Sequence, residues 1–437
     1  MASSWRDWDV AVLGAGAAGL NAAAVLAAAG RSVLILEARD RIGGRILTHS
    51  DPAGSVPIEL GAEFIHGAAP ATMRLLRRFG TEAIEVTGQR WTLRDGRLDP
   101  RGNAFAGVQR LIERVDSLGE EDLSLDEFLA RAAAEPELAP ARTYARMMAE
   151  GFDAADPKRA SVRAIAAEWR GMDGGQYRPQ HGYAALLESL HRELDPERTQ
   201  LRLQTVVGCV AWGGDRVRIS GRSRGEPCEA TARAALITLP LGVLKQPPGG
   251  LGAVEFDPPL EQKAEALQGL APGAVIKVVL RFRRAFWEQL SAGRFADAGF
   301  LHAPGGPFPT AWTSLPARTP VLTLWSGGPR ALALSGAPAP QLIEFALGAV
   351  RSLFGSAAPS HEELVAGYVH DWQSDPHTLG AYSYVIVGGM QAPDRLAEPL
   401  AERLFFAGEA TQAGELGTVE AALASGERAA RQILAAG

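Results

Sequence analysis

The sequence predicts an α/β fold in two parts: a Rossmann-like domain assembled from discontinuous segments, and an α+β unit with a mixed sheet and a helical insertion. Three observations predict it. The run DVAVLGAGAAGLNAAAVLAAAGRSVLILEA (Asp9 to Ala38) reads as strand, glycine turn, helix and second strand. Near the other end, LFFAGEATQAGELGTVEAALASG (Leu404 to Gly426) reads as strand, turn and helix. At 437 residues with 46% hydrophobic content, the chain is too long for one compact core and suggests two domains.

In the first unit, Gly14, Gly16 and Gly19 form a G-x-G-x-x-G run directly after an apolar strand. Such glycines permit a tight turn, close backbone approach to a pyrophosphate and close packing of the next helix, whose N-terminal N–H groups face the phosphates. Glu37 ends the second strand, near the spacing of about 20 residues expected for an acid that binds a ribose hydroxyl. This arrangement favours an adenosine ribose without a 2′-phosphate. The pairing of this unit with a C-terminal strand, turn and helix points to a flavin dinucleotide, Rossmann-like domain and away from a nicotinamide.

The remaining elements follow in order. Residues 1–80 hold the first cofactor unit. From 81 to 171 the pattern turns helical and charged, as in GVQRLIERVDSLGEEDLSLDEFLARAAA, with a period near 3.6. Residues 172–273 return to short strands, TVVGCVAWG, RVRISGRS and ARAALITLP. VIKVVLRF then opens strands and loops that last to 390, and 391–437 complete the first domain. The cofactor domain is therefore expected from 1–80, 172–273 and 391–437, and the substrate domain from 81–171 and 274–390.

A net charge of −6 with no Lys/Arg block argues against nucleic acid, and the mildly acidic balance is compatible with cationic substrates. Two cysteines, Cys209 and Cys228, make neither a disulfide framework nor a metal cluster, which fits a reducing cytoplasm. No basic segment followed by an apolar stretch precedes the first strand. The alanine-rich C-terminus is interrupted by Glu427, Arg428 and Arg431, so it reads as a helix outside the membrane.

Six blocks carry a resemblance that covers nearly the whole chain. EARDRIGGRI, ELGAEFIHG, TLPLGVLK, IKVVLRFRRAFW, DWQSDPHTLGAYSYV and LFFAGEAT with TVEAALASG resemble the flavin-containing amine oxidases. Within that family, which includes monoamine oxidases, polyamine oxidases and lysine-specific histone demethylases, the polyamine oxidase and demethylase branch is the most similar.

The resemblance implies FAD, with Arg39 and Arg45 at its ribose and phosphates and the Gly43–Gly44 pair admitting backbone contact. It implies Glu409 near the ribityl or phosphate region, the Val207 backbone at adenine, and Gly61, Ala62, Thr418 and Val419 around the isoalloxazine. Lys277 resembles the lysine that bridges through water to flavin N5. Desolvated there, it would lose its proton more readily and assist flavin reoxidation or deprotonation. Strand periodicity alone leaves a surface lysine open, since Lys277 shares a face with Val275 and Val279.

Tyr382 resembles the aromatic that flanks the flavin and contacts the reacting amine, while Thr418 stands where monoamine oxidases have a second tyrosine, leaving the cage half built. Ala381 stands where covalently flavinylated relatives carry cysteine, which implies non-covalent FAD. Trp372 resembles a tryptophan near the flavin, with core packing as the alternative. His66 resembles a histidine beside the substrate channel, with a structural histidine as the alternative, and Glu63 and Phe64 in the same loop are candidates for the substrate pocket.

The implied reaction is oxidation of an amine at its α-carbon, with hydrolysis of the resulting imine and reduction of dioxygen to hydrogen peroxide. An L-amino acid oxidase, a flavin desaturase or porphyrinogen oxidase, and a chromatin-type binding protein remain alternatives. The sequence leaves open the amine and the oligomeric state, a homodimer among the options.

Overall fold

The structure is a computed structural model that describes residues 7–51, 54, 56–100, 104–170 and 174–437. Its first sheet begins where the N-terminal pattern places it. Strand β1 (Trp8–Leu13), helix α1 (Ala17–Ala28) and strand β2 (Val33–Leu36) form one right-hand unit of the parallel sheet, with β2 buried throughout. Strands covered on both faces read as continuous apolar runs, and VLIL is such a run.

The strands Thr199–Arg202, β2, β1 and Glu226–Ile237 lie side by side in parallel. The long Glu226–Ile237 strand has two neighbours on its other side. Its first half pairs antiparallel with Val217–Ser223, and its last three residues pair in parallel with Leu404–Phe406. A strand from the C-terminus thus completes the sheet that the N-terminus starts.

Helix packing makes the same connection. The C-terminal helix (Val419–Ala436) crosses α1 so closely that a Cβ on Gly426 would lie 2.3 Å from the Ala18 carbonyl oxygen. Asn21 Nδ2 donates to the Leu423 carbonyl at 2.7 Å, and small residues on both helices permit the approach. Glu420 on the same helix accepts from the Ala71 and Thr72 amides, each at 2.8 Å, and so caps the Pro70–Arg78 helix.

The second sheet runs in the order Leu364–Asp371, Val275–Phe282, Val321–Gly327, Thr310–Thr313, Ala298–His302, Gln89–Arg94 and Arg97–Asp99. The expectation of a wholly helical 81–171 block needs correction here. Its first part supplies strands Ala83–Glu85, Gln89–Arg94 and Arg97–Asp99. The last two form a hairpin through Asp95 and Gly96, whose φ values of 48° and 74° are those of the Asp-Gly turn. Three arginines in that stretch, Arg90, Arg94 and Arg97, mask the alternation that would have marked it. Helices follow at 104–113, 125–131, 139–151 and 162–170. The expected boundary between 171 and 172 lies outside the described residues.

The largest apolar cores lie between α1, the C-terminal helix and the first sheet, beneath the second sheet, and among the helices of 104–170, with a further one on the other face of the first sheet. Among the described residues, no helix is long and apolar enough to cross a membrane. Gly426→Ala is expected to push the two helices apart at a cost of about 1–3 kcal/mol. Thermal unfolding checks this, and an unchanged midpoint would show that the helices are not locked at this crossing.

Candidate functional site

The carboxyl ends of β1 and β2 build a backbone cradle. Gly14 has a φ of 113°, and a Cβ on Gly19 would meet the Gly14 carbonyl oxygen at 2.0 Å, so both positions require glycine. Helix α1 has no side-chain cap and no acidic residue in its first turn. Its first N–H groups are therefore left for an anion. A Cβ on Gly16 would meet nothing nearer than 3.9 Å, so the loop opens onto space beside Gly43, with which Gly16 forms a bridge.

Glu37 closes the cradle from below. Its carboxylate accepts from the Ala15 and Arg39 amides, each at 2.9 Å. Arg39 reaches across 336 positions to Asp375 at 2.7 Å. Burial pushes the Asp375 carboxyl up, but hydrogen bonds from His370 and Arg39 outweigh it and hold the group well below the usual carboxylate range. Arg41, which the sequence analysis passes over, donates to the carbonyls of Ile42, Gly44 and Ile46, each at 3.0 Å, and braces the Gly43–Gly44 loop. Val207 is placed next to this end, because the Thr205 amide two residues earlier donates to the Glu37 carbonyl at 2.8 Å.

A second network joins distant segments. Arg45 donates to the Ala381 carbonyl and pairs with Glu409 at 2.7 Å. Glu409 accepts further from Ser383 Oγ at 2.6 Å and from the Gly417 amide at 2.9 Å. The Gly61 loop packs against the Arg45 backbone, where a Cβ would stand 2.0 Å from the Arg45 oxygen, and the Ala62 amide donates to that oxygen at 3.2 Å. Thr418 is the N-cap of the C-terminal helix, accepting from the Ala421 amide at 2.9 Å, and Val419 begins that helix. Its capping hydroxyl gives Thr418 a local task that a tyrosine would not perform.

Tyr382 lies against this corner. Its hydroxyl donates to the Phe152 carbonyl at 2.5 Å, and its ring faces Gly417, where a Cβ would sit 2.9 Å away. Burial, with the negative charges of Asp153, Glu168 and Glu409, pushes its hydroxyl pKa well above the ordinary value. Trp372 packs with Ala154, Val275 and Ala381, and its indole donates to the Leu60 carbonyl at 3.1 Å.

Lys277 points inward and is 1% exposed. It is not the lone desolvated amine expected. Its Nζ pairs with Glu63 Oε2 at 2.6 Å and donates to the Gly61 carbonyl at 3.3 Å. Glu63 also takes Arg178 Nε at 2.8 Å and Trp312 Nε1 at 2.9 Å. Burial raises the Glu63 carboxyl, and the charges of Lys277 and Arg178 more than reverse this. With three donors on its two oxygens, Glu63 positions other side chains; Phe64, beside it, turns its ring to Trp312 at 5.5 Å.

His66 lies edge-on to Phe152 at 5.3 Å, and burial together with the charge of Arg90 lowers its pKa to about 4. It is therefore neutral at pH 7. Near Tyr382, two acids are shifted upward together. Trp169 Nε1 donates to Asp153 at 3.0 Å, and Glu168 precedes that tryptophan on the Val162–Arg170 helix. Burial and the proximity of Glu409 raise Glu168 to about 7, and burial and Glu168 raise Asp153 well above its ordinary value. Sequence reasoning missed both acids, because RAIAAEWR, which holds Glu168, reads as an ordinary amphipathic helix and Asp153 stands in the bend that follows the Ala139–Gly151 helix.

The structure therefore gathers the predicted residues into two neighbouring groups. Gly14, Gly16, Gly19, Glu37, Arg39, Gly43, Gly44 and Val207 surround the cradle. Arg45, Gly61, Ala62, Lys277, Tyr382 and Glu409 meet where the two sheets adjoin, with Glu63, Phe64 and His66 beside them.

Comparison with known proteins bears on this arrangement. The family described as flavin containing amine oxidoreductase matches residues 17–434. Polyamine oxidase 2 of Arabidopsis thaliana is 30% identical, over 97% of this chain and 88% of that protein. Lysine-specific histone demethylase 2 of Homo sapiens is 27% identical, over 99% of this chain and 54% of that protein. A structure of putrescine oxidase bound to putrescine superposes with a TM-score of 0.81 at 21% identity, covering 98% of this chain and 99% of that one. Cyclohexylamine oxidase from Brevibacterium oxydans gives 0.77 at 22% identity with the same coverage.

Removing one member of a buried ion pair leaves the other charge without compensation, at a cost of about 3–5 kcal/mol. Glu63→Gln is expected to lose stability on that scale in denaturant unfolding. A loss within about 0.5 kcal/mol, the size typical of surface changes, would show that Lys277 and Arg178 find other partners.

Proposed function

This chain belongs to the flavin-containing amine oxidoreductases, and from that premise we propose that it oxidises a small-molecule amine at its α-carbon with dioxygen as acceptor, releasing hydrogen peroxide. FAD-dependent amine oxidation is the chemistry of the family and of its polyamine oxidase relatives. The residues present fit the cofactor: an uncapped helix start behind a glycine cradle for the pyrophosphate, and Glu37 for the ribose. FAD, when bound, supplies the two-electron acceptor.

The observation that carries the proposal is the meeting of Lys277, Tyr382 and Glu409 around one corner, from segments 105 and 27 positions apart. Arg39, Arg45, Gly43 and Gly44 would hold the ribose and phosphates, Val207 the adenine, and Gly61, Ala62, Thr418 and Val419 the ring system. Ala381 offers only a methyl group, so FAD is held without a covalent link. In the same reading, 1–80, 172–273 and 391–437 bind the cofactor, while 81–171 and 274–390 bind the amine.

Tyr382 turns an aromatic face to the incoming ammonium, an attraction of about 0.5–2 kcal/mol. With Thr418 in the opposing place, that cage has one aromatic wall. Trp372 fixes the strand end behind Tyr382, and neutral His66 lines the approach without repelling a cation. Lys277, held by Glu63, donates toward the flavin edge. Glu168 titrates near neutrality and takes the proton that the amine must release before its C–H bond can break. The free Cys209 and Cys228 fit a reducing cytoplasm.

Anaerobic mixing with amines is expected to bleach the oxidised flavin, and denaturation is expected to release all FAD from the chain. Flavin that stays attached by mass would defeat the non-covalent assignment, and a flavin that no amine bleaches would defeat amine oxidation. The rate of flavin reduction is expected to rise with pH through about 7 as Glu168 ionises. Glu168→Gln should remove that step and keep any step that belongs to the free amine; an unchanged profile assigns the proton elsewhere.

A further inference from the structure

A series of rings leads away from Tyr382. His66 meets Phe152, whose carbonyl holds the Tyr382 hydroxyl, and Phe64 lies 6.0 Å from His66. Phe300 and Trp312 both lie against Phe64, at 6.0 and 5.5 Å, and stand 6.1 Å from each other. Phe64, His66 and Phe300 are only half-buried although they lie between packed elements, which marks them as the lining of an interior space.

The charges around these rings are one-sided. The Arg90 guanidinium lies 4.8 Å over Phe300, Arg178 4.6 Å over Phe64, and Lys277 5.4 Å from Trp312. Among the described residues, the carboxylate that touches these rings is Glu63, committed to Lys277 and Arg178. Three cations and one anion leave a net charge of +2. Arg90 forms no ion pair among the described residues, whereas its neighbour Asp297 is paired with Arg318 at 2.6 Å. His66 and His302 add no negative charge, and burial with the field of Arg90 keeps both neutral at pH 7. The carboxyls of Asp153 and Glu168 belong to the other end, where the reacting nitrogen would sit.

We propose that Arg90 determines specificity by barring substrates with a second ammonium, so that this chain oxidises monoamines with an apolar or aromatic body in preference to diamines and polyamines. The proposal rests on the amine oxidase reading. A like charge placed against an unpaired cation is disfavoured, even where, as at the exposed Arg90, water screens part of the repulsion, while the rings accept a hydrocarbon body without needing a polar partner. A diamine fits such a space only with a carboxylate at its far end, and here that place is held by a guanidinium.

The test compares kcat/KM for phenethylamine, putrescine, spermidine and L-phenylalanine in the flavin-loaded wild type, Arg90→Glu and Arg90→Gln. Anaerobic flavin bleaching and flavin content are read in parallel. The wild type is expected to favour phenethylamine over putrescine by at least about tenfold. Arg90→Glu should narrow that ratio by about tenfold, mainly through the KM of putrescine, in line with the coupling of one close charge pair. Arg90→Gln should fall between, and serves if the reversed charge prevents folding. A wild-type preference for putrescine or spermidine overturns the proposal, as does a ratio insensitive to both substitutions. Preference for L-phenylalanine that is lost with Arg90 would instead make the guanidinium a carboxylate receptor, and also overturns it. If no amine bleaches the flavin, the amine oxidase reading falls and takes this inference with it.

Discussion

The buried Glu63 carboxylate is the interaction on which the junction of the two sheets depends. It stands in a loop that follows the cofactor unit, yet its three donors come from elsewhere: Lys277 and Trp312 on strands of the second sheet, and Arg178 from Gln176–Pro179. A carboxylate out of water is costly unless it is paired and its lone pairs are satisfied. That cost makes the contact directional: the loop and the second sheet can pack only in the register that brings all three donors to Glu63. Lys277, Phe64 and His66 take their places as a result.

The interior around the site is charged unevenly. At the Tyr382 end, burial raises Glu168 and Asp153; further out it lowers His66 and His302. Both shifts have the same first cause, desolvation of the ionised form. Their consequences for stability oppose each other. A carboxyl raised from 4.5 to about 7, as for Glu59 and Glu168, favours the fold below 4.5 and loses that contribution as pH rises through 7. A histidine lowered from 6.5 to about 4 does the reverse: its neutral form costs nothing above 6.5, and the fold weakens as pH falls toward 4. The interior near Tyr382 thus carries carboxyls raised toward or above neutrality, and further out it carries two histidines that are neutral at pH 7.

Legibility in the sequence followed the locality of the physics. The glycine cradle and Glu37 were readable because turn, strand and helix are set by adjacent residues, and a Cβ at Gly19 would collide with Gly14 only five positions away. The inward direction of Lys277 was not readable from alternation, because its strand is buried on both faces. The hairpin at Gln89–Arg94 was hidden, because its outward positions carry arginines that resemble a charged helix. Asp153 and Glu168 were hidden for a different reason. An acid on an amphipathic helix, as Glu168 is, or in the bend after one, as Asp153 is, is ordinarily solvated, and only tertiary packing places these two beside Tyr382.

By itself, then, the sequence determined the parallel cofactor unit and the membership in a flavin-containing amine oxidoreductase family, since each rests on residues whose spacing or identity acts locally. Tertiary structure alone decided that Lys277 is ion-paired, that Glu63 is a positioning group, that Arg39 is tied to Asp375, and that Arg90 stands over the ring-lined space. Those facts depend on partners tens to hundreds of positions apart. The energy of a charge is set by what packs against it, which no local pattern records.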